Sequence, residues 1–136
     1  MKIWLFLNWG VLLLSGFDFD DYSKEYDSIF NSRLAAYGDV NYFGESKARL
    51  MRKMLYHAEE PKKILDFGCG VGKNLPYLQF FFPNAKLFAF DISRQSLTIA
   101  VRDNKNITPI DEDAIDSYEG IFDAVFISGV LHHVEP

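Results

Sequence analysis

The sequence predicts an α/β fold in which strands and helices alternate around one open, largely parallel sheet. A short apolar run, Ile64–Phe67, leads into a loop with three alternating glycines, and a helical apolar pattern follows the loop. A second apolar run, Ala85–Phe90, then ends at an acidic residue. This strand–loop–helix–strand order is typical of sheets that bind ligands beyond the carboxyl ends of their strands.

Length and composition limit the chain to one core. It has 136 residues, of which 49% are hydrophobic, so we expect a hydrophobic N-terminal arm (residues 1–19) followed by one domain (residues 20–136). The net charge of −5 and the scattered basic residues disfavour unaided nucleic-acid binding. The single cysteine, Cys69, cannot form an intrachain disulfide and fits a reducing, cytoplasmic compartment. We interpret it as a small spacer in the loop rather than as a nucleophile.

The first fourteen residues form an apolar run with one lysine, too short to span a bilayer. The run has the length of a signal-peptide core, but the residues after it lack a convincing small-x-small cleavage site. A signal peptide over residues 1–16 is therefore the less favoured interpretation. A hydrophobic arm packed on the domain, a partner-binding patch and a start codon set too far upstream all stay open.

Apolar periodicity and breakers place the remaining elements. We expect an aromatic-striped helix from Asp20 to Tyr37 and a second helix from Glu45 to Glu59, ending before Pro61. The later elements are helix Asn74–Phe82, helix Ser93–Asn104, strand Asn106–Ile110 and strand Phe122–Ile127. Pro109 predicts that this strand lies at the edge of the sheet or that the proline lies at a strand end.

The glycine loop distinguishes between two nucleotide cofactors. A dinucleotide fingerprint, G-x-G-x-x-G, read from Gly68 would place Lys73 where a glycine or alanine should pack. The sequence instead reads D-x-G-x-G-x-G from Asp66 to Gly72, which resembles motif I of the class I S-adenosylmethionine-dependent methyltransferases. The resemblance implies that Gly68, Gly70 and Gly72 carry the methionyl half of S-adenosylmethionine. It also implies that the ligand's ammonium lies near Asp66 and its carboxylate near the free N–H groups at the start of the helix.

Two further acidic positions fit the same ligand. Asp91 comes directly after the second strand and roughly 20 residues after the glycine loop. A carboxylate at this position suits a ribose diol in either cofactor. Asp91-Ile92-Ser93 resembles the family's ribose-binding motif, although Asp91 or Ser93 also suits a helix N-cap. Asp113-Ala114 resembles the family's adenine-binding step, although acidic loop residues are usually just solvated.

The last motif, Phe122-Asp-Ala-Val followed by Leu131-His-His133, is similar to the family's fourth strand and the loop after it. The resemblance implies that Ser128 and Gly129 lie beside the transferred methyl, with His132 and His133 as candidate general bases. Packing histidines are the simpler alternative. We predict no metal site, because adjacent helical residues point to different faces.

Together, these motifs imply a doubly wound, Rossmann-like sheet with parallel strands in the order 3-2-1-4. The chain ends where the family continues with a helix and three strands, so we expect a fragment, a truncated frame or one half of an assembly. An exposed fourth-strand edge would then favour self-association. The implied function is methyl transfer to a small-molecule acceptor. A catalytically incomplete cofactor-binding fragment and an NAD-dependent enzyme are the alternatives.

Overall fold

The computed structural model describes residues 2–7, 10–13, 40–56 and 58–128, with the side chains of residues 44–56 and 58–128. Two strands come first, β1 (Lys2–Leu7) and β2 (Gly10–Leu13), followed by helix α1 (Val40–Met54). The remaining elements are β3 (Lys63–Phe67), α2 (Leu75–Phe81), β4 (Lys86–Phe90), α3 (Arg94–Asp103), β5 (Ile107–Ile110), a 3-10 helix (Glu112–Tyr118) and β6 (Ala124–Ser128).

The strands form one sheet in the order β2-β1-β6-β3-β4-β5. The strands β6, β3, β4 and β5 are mutually parallel, which confirms the predicted α/β sheet and its 3-2-1-4 order. The register places Asp66 between Phe126 on one side and Ala89 on the other. Because β5 is the outermost of these strands, Pro109 lies at an edge as predicted.

The N-terminal apolar run pairs with the fourth parallel strand. β1 runs parallel to β6 from the pair Lys2–Ala124 to the pair Phe6–Ser128, and β2 folds back antiparallel to β1. The expectation of an exposed fourth-strand edge is therefore wrong for this structure. An apolar run of strand length satisfies the N–H and C=O groups that an open edge would leave unpaired.

Alternation along the strands gives the sheet two apolar faces. The face that carries the three α-helices of the described residues is built around strand residues Ile64, Leu87, Ala89, Ile107, Ala124 and Phe126. The helices cover it with Ala48, Leu50, Met51, Leu75, Leu78, Leu97 and Ala100, together with Leu55 and Phe82 just beyond two helix ends. Asp66 and Ser128 point to this same face, because each is an even number of residues from a member of the cluster on its own strand.

The opposite face is packed by aromatic residues near the 3-10 helix. The ring centroid of Phe88 lies 5.1 Å from that of Phe122 and 5.9 Å from that of Tyr118. Phe122 is buried but precedes β6, so the predicted strand Phe122–Ile127 begins two residues too early. Just before β6, the carboxylate of Asp123 accepts the N–H groups of residues 62 and 63 at 2.8 and 2.9 Å, and its own N–H donates to the carbonyl of Lys63 at 3.0 Å.

Among the helices, α1 shows the largest difference between predicted and observed boundaries. This helix begins at Val40 and ends at Met54, not at Glu59, because the chain turns there and the N–H of Ala58 bonds back to the carbonyl of Leu55. α2 and α3 match their predictions to within one residue. Ser93 is the N-cap of α3, and its hydroxyl accepts the N–H of Ser96 at 3.2 Å. The predicted helix over residues 20–37 lies outside the described residues.

Candidate functional site

The glycine loop joins β3 to α2 and turns sharply over the end of β4. The N–H groups of Gly68 and Cys69 donate to the carbonyl of Phe90 at 2.8 and 3.0 Å. Gly68, Gly70 and Gly72 have φ angles of +73°, +54° and +83°. Side chains rarely adopt these left-handed conformations, so the loop needs glycine at each of the three positions.

Gly70 and Gly72 have different surroundings. A Cβ on Gly72 would lie 2.9 Å from the Cβ of Ala100 and 2.8 Å from Nδ2 of Asn104, so this glycine allows α3 to pack on the loop. A Cβ on Gly70 would meet no described protein atom within 4 Å. Gly72 is therefore a packing glycine, whereas Gly70 leaves backbone accessible from outside the protein.

Asp91 faces the glycine loop. Its Oδ2 accepts the N–H of Gly70 at 2.7 Å, and its Oδ1 accepts the N–H of Ser93 at 2.8 Å. The loop and the acidic end of β4 are thus joined directly by a side-chain hydrogen bond. A carboxylate has about four acceptor positions, so after these two bonds Asp91 keeps roughly two for other donors.

Four of the loop N–H groups donate within the protein. Those of Gly68 and Cys69 bond to Phe90, that of Gly70 bonds to Asp91, and that of Gly72 donates to the carbonyl of Cys69 at 3.0 Å. A ligand carboxylate would therefore need N–H groups other than these four. Tight turns with positive φ angles close these N–H groups onto nearby carbonyl and carboxylate oxygens.

Asp66 is the one buried charged residue of the described core, with 1% of its surface exposed. Neither of its carboxyl oxygens has a hydrogen-bond partner within the described ranges. Burial, reinforced by the negative charge of Asp91 and opposed by Lys47, raises the pKa of Asp66 to about 7. A buried carboxyl without partners is costly, which indicates that this position interacts with a donor that is not part of the described chain.

Lys47 of α1 lies over the same part of the sheet. Its Nζ donates to Oγ of Ser128 on β6 at 2.7 Å. Burial lowers the pKa of Lys47, and the charge of Asp66 opposes that shift. Sequence analysis missed this residue, although a lysine three and four residues before the apolar Leu50 and Met51 interrupts the buried stripe of α1.

Cys69 is buried beside these acidic groups. Burial, together with the charges of Asp66 and Asp91, raises the pKa of its thiol to about 12. The thiol therefore stays protonated at physiological pH, which agrees with its interpretation as a small spacer.

The other predicted residues take different positions. Ile92 is 78% exposed directly after Asp91. The carboxylate of Asp113 lies 3.9 Å from Arg94 in a well-exposed ion pair, and Ala114 packs against the aromatic face of the sheet. His132, His133 and Gly129 lie outside the described residues.

A shallow hollow lies between α3 and the end of β5. It is lined by Arg94, Leu97, Thr98, Val101, Pro109 and Asp111, and so contains none of the predicted cofactor residues. Within the described ranges there is no group of three or more residues placed to bind a metal ion. None of the described helices is long and apolar enough to cross a membrane.

The sheet order, the glycine loop and the facing Asp91 define an open α/β domain with a candidate ligand site at the carboxyl ends of its parallel strands. A family model described as "Methyltransferase domain" matches residues 41–136, which is more than half of the chain. The chain belongs to this methyltransferase family.

Individual relatives agree with that membership. The chain is 30% identical to a malonyl-[acyl-carrier protein] O-methyltransferase of Legionella pneumophila, over 65% of this chain and 33% of that protein. A TehB-like SAM-dependent methyltransferase from Corynebacterium glutamicum is 27% identical with a TM-score of 0.50, over 81% of this chain and 56% of that one. The plantazolicin methyltransferase BpumL in complex with SAH has the same fold, with 24% identity and a TM-score of 0.55, over 79% of this chain and 42% of that one.

The chain is shorter than the proteins that it resembles. It spans 19% and 33% of the length of two curated relatives. Its family therefore follows from the match, whereas the activity of the whole protein is a proposal.

Proposed function

We propose that this protein is an S-adenosylmethionine-dependent methyltransferase that acts on a small-molecule acceptor. The observation that carries the proposal is the 2.7 Å hydrogen bond between the Gly70 N–H and Asp91. It places a carboxylate and an accessible stretch of glycine backbone side by side at the carboxyl edge of the sheet, where open α/β folds bind nucleotides.

The donor and acceptor chemistry of this edge suits the cofactor. Asp91 keeps roughly two acceptor positions, enough for the two hydroxyls of a ribose. The unpartnered carboxyl of Asp66 suits a cation, and the exposed Ile92 offers an apolar surface beside the ribose position. For the remaining contacts we retain the sequence predictions, namely that Gly68, Gly70 and Gly72 border the methionyl half, Asp113 and Ala114 the adenine, and Ser128 the methyl.

The bound cofactor would supply a methyl group already activated by a sulfonium, so the protein's main contributions are alignment and exclusion of water. Asp91 and the glycine loop would hold the nucleoside end of the cofactor. Ser128 accepts a hydrogen bond from Lys47 and lies at the end of β6, where it would form one wall of the methyl position. His132 and His133 remain our predicted general bases for the acceptor.

The proposal extends to partners and location. Its location is cytoplasmic, supported by a single buried cysteine that needs no oxidising compartment. Self-association through β6 remains a prediction; it would require β1 to leave the five residue pairs that it forms with β6. Molar mass measured by light scattering during size-exclusion chromatography tests the association.

Calorimetry with S-adenosylhomocysteine tests the binding. We expect the wild-type protein to bind it and Asp91→Ala to lose at least about tenfold in affinity, because two hydroxyl contacts to a charged group disappear. Asp103→Ala is the matched control, since it removes an exposed carboxylate that pairs with Arg102 on α3. Tighter binding of NAD than of S-adenosylhomocysteine would overturn the assignment.

Turnover needs a separate assay. Transfer of a radiolabelled methyl group to a panel of small oxygen, nitrogen and carbon nucleophiles distinguishes an active enzyme from a protein that only binds the cofactor. Binding without transfer to any acceptor would support the catalytically incomplete alternative.

A further inference from the structure

We propose that this protein associates head to tail with a second copy of itself, with Phe80 of one molecule inserted into the hollow between α3 and β5 of the next. This contact goes beyond the proposed function, because it uses surfaces that contain none of the predicted cofactor residues. It also differs from association through β6, since neither surface includes that strand.

Phe80 is an exposed aromatic residue near the end of α2. It is 76% exposed, and its ring centroid lies 5.1 Å from that of the half-buried Phe81. Arg49 of α1 lies beside this pair, with its guanidinium carbon 6.0 Å from the ring centroid of Phe81. We call Phe80, Phe81 and Arg49 the aromatic knob. Aromatic residues and arginine are the side chains that contribute most to protein–protein contacts.

The hollow between α3 and β5 has room for such a ring. Its volume is about 310 Å³, whereas an apolar cavity of about 150 Å³ is enough to hold benzene. Its lining combines apolar side chains with a guanidinium that can contact an aromatic ring. The lining residues are Arg94, Leu97, Thr98, Val101, Pro109 and Asp111.

The position of the hollow favours a side chain over a strand as its occupant. β5 is the outermost strand on this side of the sheet, so the hollow lies at an open edge. Pro109 has no N–H to donate, which makes this edge a poor template for an added strand. Insertion of a side chain needs no backbone pairing and is compatible with the proline.

Charge is divided unequally between the two surfaces. From residue 40 to residue 90, lysine and arginine outnumber aspartate and glutamate by eight to four, whereas from residue 91 to residue 128 the ratio is three to eight. The aromatic knob belongs to the basic segment and the hollow to the acidic one. A head-to-tail contact therefore brings opposite charges together, while a symmetric contact through either surface would bring like charges together.

The two surfaces cannot meet within one molecule. α2 and α3 are anchored in the same core, to which they contribute Leu78 and Leu97. The side chain of Gln79 also donates to the carbonyl of Lys105, just beyond α3. Phe80 is therefore held away from the hollow of its own molecule. Because the two surfaces are unlike, each contact leaves one knob and one hollow free, and association continues into chains or rings.

Sedimentation equilibrium of the full chain tests the contact. The average mass of the 15.7 kDa protein should rise beyond that of a dimer as its concentration increases from about 10 µM to about 1 mM. Association should weaken roughly tenfold when NaCl is raised from about 0.05 M to about 0.5 M, because salt screens the charges around the contact.

Variants with matched controls locate the contact. Phe80→Ala and Thr98→Glu should each weaken association at least about tenfold, because the first removes the knob and the second fills the hollow. Asp111→Lys reverses a charge in the lining and is a second variant of the hollow. Ile121→Ala removes another exposed apolar side chain, and Gln95→Glu adds a carboxylate elsewhere on α3. Both controls should associate like the wild type.

A mixture of two variants gives the sharpest test. Phe80→Ala keeps an intact hollow and Thr98→Glu keeps an intact knob, so an equimolar mixture should form a dimer that does not grow further, although each variant alone is a monomer. Circular dichroism spectra like that of the wild type show that both variants are folded.

Four results would overturn the proposal. The wild type could keep the mass of one chain up to about 1 mM. Association could be unchanged in Phe80→Ala, which would place the contact elsewhere, for example at β6. Salt could fail to weaken it. The mixture of folded variants could contain only monomers.

Discussion

Replacing Gly72 with alanine should destabilise the protein strongly, because two separate costs coincide at this position. Its φ of +83° disfavours any residue with a Cβ, at a cost of about 1–2 kcal/mol. The new methyl would also lie 2.9 Å from Cβ and 3.0 Å from Cα of Ala100. Since Ala100 belongs to α3 and cannot rotate away, overpacking adds about 1–3 kcal/mol.

The chain provides a matched control for the backbone part of this cost. Gly120 has a φ of +73°, and a Cβ there would meet no described atom within 4 Å. Gly120→Ala should therefore lose only about 1–2 kcal/mol, from backbone strain alone. The difference between the two variants measures the packing of α3 against the loop.

Gly70→Ala separates stability from binding. Gly70 has a φ of +54° and the same free space around its Cβ position, so its stability loss should match that of Gly120→Ala. Its methyl would nevertheless occupy the accessible side of the glycine loop and should abolish S-adenosylhomocysteine binding, whereas Gly120→Ala should bind normally.

Urea denaturation followed by circular dichroism gives the free energy of unfolding for all three variants, and calorimetry gives their affinities. Equal stability losses in Gly72→Ala and Gly120→Ala would refute the argument that α3 packs tightly against the loop. Normal ligand binding by Gly70→Ala would refute the assignment of this backbone as a ligand-contacting surface.

Three further predictions concern other parts of the fold. The pKa of Asp66 is raised from an ordinary 3.8 to about 7. Between these two pH values the native state binds more protons than the unfolded state. The free energy of unfolding should therefore fall by about 4 kcal/mol from pH 4 to pH 8. Asp66→Asn should flatten this dependence in urea titrations at both pH values; a parallel decline in the variant would show that another group is responsible. Cys69 should resist iodoacetamide in the native protein and react once the protein is unfolded, because burial raises the pKa of its thiol to about 12. Mass spectrometry measures the labelling, and rapid labelling of the native protein would contradict this prediction. Asp123→Ala should lower the free energy of unfolding by about 1–2 kcal/mol, since it removes the acceptor of two N–H groups at the start of β3. An unchanged denaturation midpoint would show that water replaces the carboxylate as the acceptor.

Much of the fold could be predicted because its signals are local. The alternating glycines reflect positive φ angles that the loop requires, Pro109 is compatible with an edge strand, and Ser93 caps the helix that follows it. The position of Asp91 at the end of β4 follows from the length of one apolar run. Each of these features depends on neighbours within a few residues, so a single sequence contains the information.

Other features were settled by tertiary structure, because they join parts of the chain that are distant in sequence. The pairing of β1 with β6 brings together residues more than a hundred positions apart, and an apolar run near the N-terminus gives no indication of its partner. Lys47 and Ser128 are 81 residues apart, and their contact depends on how α1 packs across the sheet. The raised pKa of Asp66 arises from burial beneath that packing, which no spacing of residues encodes. The amino-acid sequence determined which groups stand at the strand ends, and only the packed structure determined which of them face one another and with what charge.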